Sequence, residues 1–162
     1  DLDNIPQDGR VILAGNHTSI MDPLLLITAT KRSIHFLAKD ELWHGPKKII
    51  FANMGLIPVN RRVKDTNALN SAINCLNNEL VIGIFPEGTT EKGRGLLPFK
   101  IGAVKMAHAT HAKIVPFVIK GKYRLFSRNL SITFLKPIMV NSDDLSSQND
   151  MLRMTIKNKM EE

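Results

Sequence analysis

His17 stands five residues before Asp22 in the run Asn16-His17-Thr18-Ser19-Ile20-Met21-Asp22, and Phe85-Pro86-Glu87-Gly88-Thr89 follows in the middle of the chain. To make a hydroxyl nucleophilic near neutral pH, a site needs a base that takes its proton, and histidine is the usual choice. A carboxylate on the other ring nitrogen fixes the tautomer and stabilises the imidazolium that forms. Five residues correspond to about 500° of ideal helix, so the two side chains cannot share one face of a regular helix and must straddle a turn. Pro23 agrees with a turn, because it biases Asp22 away from helical backbone angles. Asp22 is then expected to cap the following helix with one oxygen and to hold His17 with the other. Taken alone, the same spacing also fits a capping Asp beside an unrelated loop His.

The second run offers polar groups aimed at a ligand. Pro86 stops the preceding strand, and Gly88 permits a close approach to a ligand or a positive φ angle. Glu87 is ill suited to bind an anion itself; it is read as holding a substrate hydroxyl or positioning a basic side chain. Backbone N–H groups in this turn, or at the start of a helix near Ile101, are both candidates for stabilising an oxyanion or binding phosphate. A third run, Gly55-Leu56-Ile57-Pro58-Val59-Asn60-Arg61, ends an apolar strand on an arginine able to grip phosphate with two hydrogen bonds, although in isolation it reads first as a solvated basic turn. No Gly-x-Ser-x-Gly elbow is present, which favours direct attack by a substrate hydroxyl over a covalent acyl-enzyme; Ser19 beside His17 leaves a Ser–His pair open. Together these motifs point to acyl transfer onto a hydroxyl of a phosphate-bearing substrate.

Such groups need a frame. Arg10 to Gly15 reads as a buried strand, Ser33 to Ala38 as a second, and Val81 to Phe85 as another, nearly all apolar as a strand covered on both faces should be. Strands are also expected at Lys113 to Ile119 and Ser131 to Leu135. Helical patterns fall at Leu24 to Thr30, with Pro23 at a first helical position, and at Ile101 to His111. Ala68, Leu69, Ala72, Ile73, Leu76 and Leu80 form a helix-period stripe that carries Cys75, which is read as a small buried hydrophobe. A final amphipathic helix is expected from Ser147 through Met151, Leu152, Met154 and Ile156. The alternation predicts an α/β fold with a mainly parallel sheet flanked by helices. Ligands bind such sheets beyond the carboxyl ends of the strands, which is where both Asn16-His17 and Pro86-Glu87-Gly88 fall.

The chain has 162 residues, enough for one domain with a real core, and its single cysteine excludes a disulfide framework. No Cys/His cluster has zinc-ligand spacing, so no metal is expected. The net charge is +7, and from Lys92 to Ser142 ten basic residues occur without one Asp or Glu. That stretch predicts a positive face for phosphate or anionic lipid. Nucleic acid is disfavoured by the 6% aromatic content and the lack of a recognition motif. No run approaches the roughly 18 to 20 apolar residues that span a bilayer, so membrane contact is expected to be peripheral. The run from Trp43 to Met54 reads either as an interfacial anchor opening at Pro46 or as a core-packed helix.

In these residues the chain resembles the glycerolipid acyltransferase family, and within it the PlsC-like 1-acyl-glycerol-3-phosphate acyltransferases. Asn-His-x4-Asp matches at Asn16, His17 and Asp22, and Gly-x-Ile-Pro-Val-x-Arg at Gly55, Ile57, Pro58, Val59 and Arg61. Phe-Pro-Glu-Gly-Thr matches at Phe85 to Thr89, a late Ile-Val-Pro at Ile114 to Pro116, and Lys39-Asp40-Glu41-Leu42 resembles the Lys-x-Glu-Leu element between the first two. The resemblance spans roughly Ile5 to Ile119. It implies that His17 deprotonates the sn-2 hydroxyl of lysophosphatidic acid while Asp22 orients it. The alkoxide then attacks an acyl thioester on coenzyme A or acyl carrier protein, giving phosphatidic acid without a cofactor. Arg61, Glu87, Gly88 and Thr89 would hold the phosphate and glycerol.

One position departs from the pattern: Thr90 stands where the family usually has an arginine. Lys92, Arg94 or Lys100 would replace it, or the acceptor would be glycerol-3-phosphate or another lysophospholipid. Asn60, where Asp is common, is a milder change. A non-catalytic module for anionic lipid and a thioester hydrolase are the readings from other classes. On the family pattern, residues 1–162 form a single acyltransferase domain lacking an N-terminal membrane-associated segment, and the protein is expected at the cytoplasmic face of a membrane.

Overall fold

The structure, a computed structural model, describes residues 1–39, 56–59, 66–90, 95–123 and 129–162. The strands are β1 (Val11–Gly15), β2 (Ile34–Lys39), β3 (Leu56–Val59), β4 (Val81–Ile84), β5 (Lys113–Lys120) and β6 (Ser131–Phe134). The helices are α1 (Asp22–Ala29), α2 (Thr66–Asn77), α3 (Gly102–Thr110) and α4 (Leu145–Glu161), and a 3-10 turn at Leu2–Asn4 precedes β1.

Runs rich in Val, Ile and Phe make the strands, and their order in one sheet is β3-β2-β4-β1-β5-β6. β1 is central: Ile12 pairs in parallel with Ile82 on one side and with Ile114 on the other. Among the described strands only β6 runs antiparallel, against the far end of β5. The expected mainly parallel α/β sheet is the one observed. Because successive side chains point to opposite faces, β1 feeds two cores. Val11 and Leu13 join Leu26 of α1 and Phe117 on one face, whereas Ile12 and Ala14 join Ala72 of α2, Met106 of α3 and Ile156 of α4 on the other. Ala68, Ala72 and Leu76 of α2 are buried as the stripe predicted, and Cys75 packs at its edge. Partial burial raises the Cys75 thiol above its usual range, which disfavours the thiolate.

Two expectations change. Helix α1 opens at Asp22, two residues before Leu24, so Asp22 lies inside the helix and is not its N-cap; the preceding Met21 already has helical angles. The preference that Pro23 imposes on Asp22 is overridden by the hydrogen bonds made to its carboxylate. In α4 the buried positions are Asn149, Leu152 and Ile156, while Met151 and Met154 are exposed, because only residues about four apart share the sheet-facing side. Within the acid-free stretch, Lys92, Arg94, Arg124 and Arg128 lie outside the described residues. Lys113 opens β5 beside Val11 and Lys120 closes it, about 23 Å away at 3.3 Å per residue, so their charges lie at opposite ends of the sheet. The run from Trp43 to Met54 lies outside the described residues.

Candidate active site

β1 ends on Gly15, and the next residue leaves the sheet by a side-chain device. Asn16 is fully buried; its Nδ2 donates to the Ile119 carbonyl at 2.9 Å and its Oδ1 accepts from the Ile119 N–H at 2.8 Å. The Asn16 amide thus replaces one rung of the β1–β5 ladder, and the backbone is released to turn His17 over the carboxyl ends of the strands.

There His17 Nδ1 meets Asp22 Oδ2 at 2.9 Å, the turn at 18–21 bringing the two together. The Asp22 carboxylate has no exposure, yet it is surrounded by donors: the N–H groups of Thr18 and Ser19, the Thr18 hydroxyl at 3.0 Å and the Tyr123 hydroxyl at 2.7 Å. Burial alone would raise its pKa, but the hydrogen bonds from His17, Ser19, Tyr123 and Thr18 together hold it below the usual carboxylate range. Asp22 is therefore the ionised partner of His17. With Nδ1 committed to Asp22, Nε2 is the nitrogen left to take a proton.

Phe85 leaves the end of β4 and stacks on the imidazole, ring centroids 4.1 Å apart and planes 17° from parallel. The ring is thus held in plane by Asp22 and against its face by Phe85. Glu87 is buried and spends both oxygens on backbone amides: Oε1 accepts from the His17 N–H at 2.9 Å and Oε2 from the Leu97 N–H at 3.1 Å. It ties the loop after β1 to the segment before α3. Arg153 of α4 donates to the carbonyls of Leu96 and Leu97, so the C-terminal helix braces the same segment.

A cavity of about 190 Å³ opens beside the imidazole, lined by His17, Leu37, Phe85, Gly88, Lys100 and Gly102 among others. Gly88 adopts φ +71°, and a Cβ there would lie 3.0 Å from Lys100 Nζ, so the lysine side chain runs along the bare glycine backbone. The Gly88 N–H closes the turn onto the Phe85 carbonyl at 2.9 Å, and the Lys100 N–H donates to the Pro86 carbonyl at 2.9 Å. Those two amides are therefore committed. Thr89 follows in the same turn, half-buried. Among the described residues no cluster of His, Cys, Asp and Glu is placed to hold a metal ion.

The structure thus gathers His17, Asp22, Glu87, Gly88 and Lys100 in one place, whereas Arg61, Lys92 and Arg94 lie outside the described residues. Tyr123 was not legible beforehand. It is the chain's only tyrosine, 101 residues from Asp22, and no local pattern links the two. Phe85 was visible as the start of a motif, but its stacking on His17 was not.

A mainly parallel α/β sheet with an oriented imidazole–carboxylate pair beyond its carboxyl edge is an arrangement able to activate a hydroxyl or a water. The chain belongs to the Acyltransferase family, whose model matches residues 1–120. It is 37% identical over 131 residues to the 1-acyl-sn-glycerol-3-phosphate acyltransferase of Borreliella burgdorferi, covering 79% of this chain and 52% of that protein. With the protein of the same name from Haemophilus influenzae it shares 32% identity, over 77% of this chain and 55% of that one. The chain spans about half the length of these curated relatives. The crystal structure of the 1-acyl-sn-glycerophosphate (LPA) acyltransferase PlsC from Thermotoga maritima superposes with a TM-score of 0.79 at 26% identity, over 99% of this chain and 69% of that one.

Proposed function

We propose that the protein transfers a fatty acyl group from an acyl thioester, on coenzyme A or acyl carrier protein, to the sn-2 hydroxyl of 1-acyl-glycerol-3-phosphate, forming phosphatidic acid. The observation that carries this reading is the 2.9 Å contact of His17 Nδ1 with an ionised, buried Asp22 at the mouth of the cavity. His17 Nε2 takes the hydroxyl proton as the hydroxyl oxygen adds to the thioester carbonyl. The C–S bond then breaks, and the same proton passes to the departing sulfur. The names of the relatives favour this acceptor over glycerol-3-phosphate.

Among the described residues, Lys100 is placed to substitute for the arginine that the family usually has at position 90, because it shares the cavity with His17. Arg61 and Thr89 complete the proposed phosphate and glycerol contacts, with Lys92 and Arg94 as further candidates. Glu87 is assigned a positioning role, since both of its oxygens hold backbone amides.

Peripheral binding to anionic membrane, at the cytoplasmic leaflet, belongs to the same proposal. Ile20 and Met21, in the turn beside His17, are exposed, as are Leu24 and Ile27 on α1. Their apolar surface next to the cavity suits a lipid-borne acceptor. Among the described residues no helix is long and apolar enough to cross a membrane.

The test is acyl transfer from a radiolabelled long-chain acyl thioester to lysophosphatidic acid, with glycerol-3-phosphate and lysophosphatidylcholine as parallel acceptors. Phosphatidic acid is expected from the wild type and is lost by at least about a thousandfold in His17→Ala. Retained turnover in that variant removes the general-base assignment. Failure of every acceptor, with vesicle binding intact, gives the lead to a lipid-binding module.

A further inference from the structure

Tyr123 reaches the site from the far half of the chain. It follows β5 by three residues, past Gly121, which adopts φ +97° where a side chain would collide with the backbone of Asn129. The tight turn at Gly121 brings the ring back over the carboxyl edge of the sheet, and its hydroxyl donates to Asp22 Oδ1 at 2.7 Å. The other carboxylate oxygen, Oδ2, faces His17.

We propose that Tyr123 is a positioning residue of the transfer reaction, its hydroxyl holding Asp22 and, through Asp22, setting the orientation and proton affinity of His17. The inference rests on His17 acting as the general base. Three of the donors to Asp22 come from Thr18 and Ser19, within the turn itself, and move with it. Tyr123 is different, because it anchors the carboxylate to the end of β5, a strand paired on both sides and fixed by the core. Its hydroxyl also withdraws charge from the carboxylate, which weakens the stabilisation that Asp22 gives to an imidazolium. Burial and the negative charge of Asp22 push the Tyr123 pKa well above its ordinary value, so the phenol remains a donor across the working pH range.

Four described titratable groups are placed around His17. They are Asp22 on α1, Glu87 after β4, Lys100 before α3 and Tyr123 after β5. Of these, Tyr123 is the one that touches Asp22 from outside its own turn.

The experiment uses the full chain in vesicles, with Tyr123→Phe as the first variant. Its kcat is expected to fall about tenfold with KM for either substrate within about twofold, since one hydrogen bond to a charged group is lost and no substrate contact. The acid limb of the pH–rate profile should move up by about half a pH unit, because the unshielded carboxylate favours the protonated imidazole. A second arm exploits the single tyrosine of the chain: growth on 3-fluorotyrosine alters position 123 alone. A more acidic phenol is a stronger donor, so here the limb should move down, opposite to Phe, in a protein with the native contacts retained. In an Asp22→Asn background, Tyr123→Phe should add less than about twofold.

A wild-type rate and pH profile in both tyrosine variants overturns the proposal, as does a full tenfold loss in the Asp22→Asn background, which would make Tyr123 independent of Asp22. Should Tyr123→Phe fail to fold, the fluorotyrosine limb decides: no shift overturns the proposal. Turnover by His17→Ala would instead overturn the base itself, an outcome separate from any result at position 123.

Discussion

At the residue scale, the site is organised around one carboxylate. Asp22 accepts from His17, Thr18, Ser19 and Tyr123, and this set of donors decides its charge against the penalty of burial. The sign of its effect on stability follows. A carboxyl whose folded pKa lies below its unfolded value of about 3.8 stabilises the fold above that value, and the contribution disappears as pH falls through the folded pKa. Asp22→Asn keeps the shape but turns an amide N–H₂ toward groups that are themselves donors, which should cost about 2 kcal/mol at neutral pH. Urea unfolding of wild type and variant at pH 7 and again below pH 3 checks this. The gap between the two curves should narrow in acid; a gap independent of pH would remove the charge from the explanation.

At the scale of elements, α1 is the part whose sequence and structure diverge most. Its two most solvent-facing apolar residues, Leu24 and Ile27, do not serve the core, and the helix is tied to the sheet chiefly through Leu26, which has no exposure. Leu26→Ala should therefore destabilise by about 2–4 kcal/mol, the range for a large-to-small change in a packed core. Because α1 also carries Asp22, the variant should lose kcat as well as thermal stability. A destabilised variant with unchanged kcat at low temperature would show that the turn at 18–21 holds Asp22 without the helix.

The periodicities that place strands and helices were largely legible in this chain, since apolar runs of four to eight residues and the stripe at 68–76 leave few alternatives. Their ends were less so. Phe85 is as apolar as the strand before it, yet it leaves β4 to stack on His17, a choice made by the ring it meets rather than by its own propensity. Met151 and Met154 likewise look core-facing until the direction of the sheet is known.

At the scale of the whole molecule, the two faces of the sheet divide the labour. One face is sealed by α2, α3 and α4, and α4 reaches forward through Arg153 to the loop that Glu87 ties to His17. The other face carries α1, whose apolar outer surface lies next to the turn that joins His17 to Asp22. If that surface rests on lipid, Leu24→Glu with Ile27→Glu should lower vesicle affinity by about tenfold or more, since two buried apolar side chains are replaced by charges that the anionic surface repels. Sedimentation with anionic vesicles measures it, with transfer to a short-chain, water-soluble acceptor expected to stay within about twofold. Unchanged sedimentation would place the lipid contact elsewhere on the molecule.

Local spacing and the pleat were enough to dictate the alternation of strands and helices and the placement of His17 and Glu87 after strands, whereas the spacing of His17 and Asp22 fitted a pair or two unrelated residues until the fold showed their contact. How that pair is held was settled by the packed fold. The Asn16 clasp on Ile119, the stacking of Phe85, the two-sided grip of Glu87 and the Tyr123 hydroxyl join residues up to 103 positions apart. Contacts of that range depend on which strands become neighbours in the sheet, and no run of adjacent residues encodes that order.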